Sequence, residues 1–206
     1  MNKVQHSDTN RREIFQYTLV FIGNPSRGDD GIGPALFHEI EPWLNQQRLG
    51  QTEDKQIPSN DIQLIECFQL EPELCCDIEN SDVVIIIDAS TTKAPTPWVE
   101  TLSDSNAPTS IWTHAISPSS LLTLFKKIHQ KSPPRTYLLH IPGKKFGLGA
   151  PLSPSVEKHQ TYCLCLLQKI CLATSPKNLK EIFFDITTST SKGNGLRFEN
   201  EGFKHA

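Results

Sequence analysis

Tyr17-Thr-Leu-Val-Phe-Ile-Gly-Asn-Pro-Ser-Arg-Gly-Asp-Asp-Gly-Ile-Gly33 is the stretch that decides the fold. Its opening residues, to Ile22, are β-formers in a short apolar run and predict a buried strand over 17–22. Gly23 to Gly28 is dense in turn residues and ends that strand. From Ile32 the apolar positions fall at Ile32, Leu36, Ile40, Trp43 and Leu44, the spacing of one helix face. Strand, glycine-rich loop and helix together open a layered α/β fold.

The alternation continues downstream. Residues 48–60 are polar and read as a loop, and Ile62–Cys67 reads as a second strand. Glu71-Pro72 opens a short helix to about Ile78, since proline suits a first helical turn. Val83-Val-Ile-Ile-Ile87 is continuously apolar and β-branched, which places it in the middle of a mostly parallel sheet covered on both faces. Residues 90–111 are rich in Ser, Thr and Pro and read as a long loop. Ser117-Pro118 is a cap-and-start signal for a helix buried through Leu121, Leu122, Leu124, Phe125 and Ile128. Thr136–Ile141 is the next strand. Ser153-Pro154 repeats the cap signal for a helix to about Ala173, and Ile182–Phe184 reads as a short edge strand. The expectation is a single domain over 1–206: a twisted, mostly parallel sheet of about five strands between helices, in three layers. Residues 1–14 are expected to form a loose arm and 187–206 a mobile tail.

Bulk properties remove whole classes of function. With 206 residues, 37% of them hydrophobic, the chain is long enough to bury a core and is not a disordered segment. A formal net charge of -3 gives no basic footprint for DNA or RNA. No run approaches the ~20 apolar residues of a membrane span. Met1–Gln16 has no apolar core of a secretory signal, so a cytoplasmic protein is expected. The six cysteines form no CxxC pair and are expected to be reduced and packed as small apolar residues.

Open α/β sheets build their sites where loops converge at the carboxyl ends of strands. Asp29 and Asp30 follow the first strand, Asp88 follows the most buried one, and His114 lies just before the Ser117 helix. Two or three carboxylates with one imidazole suit a divalent transition metal of intermediate softness. Each residue also has a plainer role open to it. Asp30 suits a helix cap, Asp88 a hydrogen bond to a neighbouring loop, and His114 a structural position. A nucleotide loop fits poorly, because neither GxGxxG nor a Lys-Ser/Thr pair is present and adjacent aspartates repel phosphate.

Gly23-Asn24-Pro25-Ser26-Arg27-Gly28-Asp29-Asp30-Gly31-Ile32-Gly33 resembles the opening motif of the hydrogenase maturation proteases. Phe68–Leu74 with Ser81–Ala89 resembles the family's second block, Thr113–Leu122 its third, and Phe146–Gly149 with Leu152–Val156 its last. The blocks occur in family order across residues 17–172. The resemblance implies that Asp30, Asp88 and His114 are both the catalytic and the metal-contacting positions. It implies an endopeptidase that cuts the C-terminal extension from the nickel-loaded large-subunit precursor of a [NiFe] hydrogenase. Nickel then comes with that partner and is bound transiently, with no permanent cofactor, no nucleic acid and no membrane involved, and the protease acts as a monomer. The sequence holds no Ser or Cys nucleophile motif and no HExxH helix. A non-catalytic nickel-sensing chaperone of the large subunit and a small metallohydrolase are the alternatives. Arg27 and Lys144-Lys145 suit either contact with an acidic precursor segment or a solvated surface.

Overall fold

The computed structural model describes residues 15–49, 61–104, 116–173, 175 and 177–183. Five strands form one sheet: β1 (Gln16–Ile22), β2 (Asp61–Cys67), β3 (Val83–Ser90), β4 (Trp98–Leu102) and β5 (Arg135–Pro142). Their order is β2-β1-β3-β5-β4. The first four in that order are mutually parallel, and β4 joins the edge antiparallel to β5. The helices are α1 (Ile32–Leu49), α2 (Leu74–Asp77), α3 (Pro118–His129) and α4 (Pro154–Cys171).

Alternation along the strands sorts the core into two slabs. Tyr17, Leu19 and Phe21 of β1 and Val83, Ile85 and Ile87 of β3 face α1 and α4. Val20, Ile22, Val84 and Ile86 face α2 and α3, where Leu74, Leu121 and Phe125 are buried. Both faces of β1 and β3 are therefore covered, which is why these strands carry continuous apolar runs. The three-layer α/β architecture is the one anticipated. Among the described residues no helix is long and apolar enough to cross a membrane.

Two element readings are corrected. Part of the 90–111 loop is strand β4, whose Val99 packs toward α1 and α4 while Leu102 packs toward α2 and α3. Its Ser-, Thr- and Pro-rich surroundings mask a half-exposed edge strand, where little burial is demanded of the sequence. Residues 177–183 are helical, so the described part of Ile182–Phe184 is no edge strand; Phe183 packs its ring on Tyr137 with centroids 4.6 Å apart. The six cysteines are unpaired, but only Cys75, Cys163 and Cys171 are buried; Cys67 is half-buried, and Cys76 and Cys165 are exposed. The expected arm over 1–14 and tail over 187–206 lie outside the described residues.

Candidate functional site at the carboxyl end of the sheet

Leaving β1, the chain turns to β2 on one side, and from there it crosses to β3 on the other. The carboxyl ends of β1 and β3 are thus the switch point where an open parallel sheet leaves a crevice. The loop after β1 fills one wall. Gly23 has φ of 144°, and a Cβ there would overlap the Asp30 carbonyl. Gly33 lies equally close to the Ile22 backbone, so α1 starts hard against the strand. Gly28–Gly31 forms a single 3-10 turn that runs straight into α1.

The adjacent aspartates of this turn have opposite fates. Asp29 is fully buried. Its carboxylate accepts the backbone N–H of Lys144 at 2.6 Å, of Lys145 at 2.8 Å and of Ser153 at 2.6 Å, and the Ser153 hydroxyl at 2.9 Å. Burial acts to raise its pKa, but the four donors outweigh it and hold the carboxyl below its ordinary value. Asp29 is a pin joining the β1 loop to the loop after β5 and to the start of α4. Its lone pairs are committed, and it is not free to bind a metal.

Asp30 is half-buried, and its Oδ2 accepts the Asn24 N–H at 3.1 Å. It closes its own loop and does not cap α1. Asp88 lies beyond the register of β1, which ends at Phe21 with Ile87, although β3 itself continues to Ser90. Following Val84 and Ile86, its side chain leaves the sheet on the α2 and α3 side. Burial, and then the charge of Asp30, push the Asp88 pKa up to about 6, against a smaller opposing pull from the Ala89 N–H. The structure therefore brings Asp30 and Asp88 within electrostatic reach of each other. His114 lies outside the described residues. Ile116, two positions later, bonds through its N–H to the Leu70 carbonyl beyond the end of β2, at 3.3 Å.

Two like charges in a half-buried crevice disfavour each other, and a divalent cation between them would reverse that cost. Among the described residues no group of three or more His, Cys, Asp or Glu could hold a metal on its own. The pair is suited to completing a coordination sphere supplied partly from elsewhere.

Neighbours that the sequence did not disclose surround Asp88. His140 is its register partner on β5, and Trp98 is His140's partner on β4. The Trp98 and His140 rings stack at 4.5 Å with planes 12° apart, and His140 Nε2–H donates to Glu100 Oε2 at 2.8 Å. Because β4 reads as loop, nothing local in the sequence signals this group. On the other side, burial and then the charges of Glu71, Asp88 and Glu66 push the Cys67 thiol up to about 11, so it stays protonated.

Solved structures share this fold. HybD from E. coli, a hydrogenase maturating endopeptidase, aligns with a TM-score of 0.52 at 18% identity, over 74% of this chain and 90% of its own. HycI from Thermococcus kodakarensis KOD1, a [NiFe] hydrogenase maturation protease, aligns with a TM-score of 0.54 at 16% identity, over 76% and 92%. This is the hydrogenase maturation protease fold. An endopeptidase from Escherichia coli aligns as well, with a TM-score of 0.52 at 18% identity, over 77% of this chain and 92% of its own. No family model matches the sequence, and no curated protein is similar to it at the level of sequence.

Proposed function

We propose that this chain is an endopeptidase of hydrogenase maturation that removes the C-terminal extension from the nickel-loaded large-subunit precursor of a [NiFe] hydrogenase. The observation that carries the reading is the placement of Asp30 after β1 and Asp88 at the end of β3, at the switch point of a maturation-protease fold. Nickel is part of the substrate in this scheme. An ion held by precursor thiolates has positions left for Asp30, Asp88 and His114, a mixed set appropriate to a borderline metal. The Ile116 anchor supports the third ligand, since it holds the chain next to His114 on the side of the sheet that Asp88 faces.

The role of the metal contact is to fix one peptide bond against the carboxylates, so that attack becomes effectively intramolecular. Water adds to the carbonyl carbon, its proton passes to a carboxylate, and the amine departs carrying a proton.

The test is a nickel-loaded precursor incubated with the protein, with the large subunit weighed by mass spectrometry. Cleavage that requires nickel and falls at least about 100-fold in Asp30→Asn and in Asp88→Asn supports the proposal. An intact extension with the wild-type protein leaves a chaperone. Nickel-independent cleavage at undiminished rate in both variants removes the carboxylates from the chemistry.

A further inference from the structure

A second feature lies beside the site and is not used by that chemistry. A cavity of about 360 Å³ opens between the end of β5, the start of α4 and the segment after β3. Its volume is within the ~300–1,000 Å³ typical of ligand sites. Ala94, Pro95, Pro142 and Pro154 give it largely apolar walls, and its ionisable lining is Lys144, Lys158 and His159, with no carboxylate. Neither lysine makes an ion pair among the described residues. Burial, and then the charge of Lys144, lower the His159 pKa, so this imidazole is neutral at physiological pH and offers one donor and one acceptor. The cavity is tied to the site: the backbone N–H of Lys144 is one of the donors that fix Asp29, next to Asp30.

We propose that this cavity binds a carboxylate of the precursor polypeptide, so that Lys144 and Lys158 seat an acidic residue or the terminal carboxylate of the segment to be released. The proposal rests on the endopeptidase reading. Charge complementarity selects the ligand, since unpaired ammonium groups stand at the rim of a pocket without a counter-charge. The walls select its form. A carboxylate on an apolar stem can pack against three prolines and an alanine with its oxygens at the lysines. A phosphate would lose hydration against those walls without enough donors to replace it.

The probe is a fluorescein-labelled pentapeptide of alanine and proline ending in two glutamates, measured by anisotropy against the full chain. Three further versions are used, one amidated at its C-terminus, one with glutamine for glutamate and one carrying both changes. The expected result is salt-sensitive binding that weakens about tenfold or more in the Lys144→Glu/Lys158→Glu variant. A smaller loss is expected in Lys144→Gln/Lys158→Gln, and none in the exposed control Lys180→Glu. Loss on amidation assigns the terminal carboxylate, and loss on glutamine replacement assigns the side chains. Equal affinity for the peptide that is both amidated and glutamine-substituted overturns the proposal, as does equal affinity in the charge-reversed variant.

With nickel-loaded precursor, the charge-reversed variant should raise KM and leave kcat unchanged, since the lysines dock the chain and do not act on the bond. Cleavage with unaltered kcat/KM sinks the cavity and leaves the endopeptidase standing. Charge-dependent peptide binding without cleavage of any precursor keeps the carboxylate site and sinks the endopeptidase.

Discussion

Asp30 and Asp88, 58 positions apart in sequence, come near enough at the ends of β1 and β3 for the charge on Asp30 to add to burial in raising the Asp88 pKa to about 6. The coupling has a consequence for stability. An acid whose folded pKa lies above its unfolded value binds more protons in the folded state. The stability this confers is fully present below about pH 4 and is lost as pH rises through 6. Asp88→Asn removes the charge that is disfavoured, and should stabilise the protein above pH 6 by on the order of 2 kcal/mol. Thermal melts of wild type and variant should converge near pH 4 and separate toward pH 8. A constant offset across that range would contradict the origin assigned to the shift.

Asp29→Ala should be more damaging than Asp30→Ala, although the two residues are neighbours. It strips the acceptor from three backbone N–H groups and the Ser153 hydroxyl. The expected loss is about 3–5 kcal/mol by urea denaturation, because buried donors left unpaired carry their full desolvation cost. Asp30→Ala gives up one acceptor of the Asn24 N–H and should cost about 1 kcal/mol. Equal losses would mean that Asp29 is not the pin described.

Gly23→Ala should lower stability by at least about 1 kcal/mol, since φ of 144° is closed to alanine and its Cβ would displace the Asp30 carbonyl. The same displacement moves the Asp30 carboxylate, so precursor cleavage should fall further than stability does. Activity that follows the folded fraction alone, assayed at a temperature where both proteins are folded, would rule out the positional effect.

Ser117 and Ser153 look alike in sequence, each a serine before a helix-starting proline. Ser117 Oγ accepts the Ser120 N–H at 3.1 Å and is a true cap. Ser153 has the backbone of a cap but gives its hydroxyl to Asp29. Ser117→Ala should cost about 1 kcal/mol independently of other sites. Ser153→Ala should show about 1 kcal/mol of coupling to Asp29→Asn in a double-mutant cycle, and an additive cycle would refute the bond.

These contrasts mark where the sequence was readable. β1, the loop and α1 were legible because local chemistry determines them: a β-forming run, glycines that allow a backbone to approach, and apolar spacing on one helix face. Asp88 was legible because it interrupts the most apolar run in the chain. Asp29 was not. Locally it is indistinguishable from Asp30, and what separates them is a set of donors 115 to 124 positions away. The group around His140 was hidden for a similar reason, since its partners lie on an edge strand whose pattern is too short and too exposed to stand out. The Ser153-Pro154 signal placed the start of α4 correctly, but the serine hydroxyl donates to the distant Asp29 carboxylate and makes no bond to a first-turn N–H.

The join between Asp29 and Ser153 also sets an order on biosynthesis. A ribosome delivers the acidic residue early and its serine partner much later, and until then the Asp29 carboxylate lacks two of its four donors. A chain clipped ahead of α4 keeps the residues of β1 and α1 but not the Ser153 donors that hold Asp29. The anchorage is complete only when α4 docks beside α1, so the last long helix to be made fixes a loop laid down near the start.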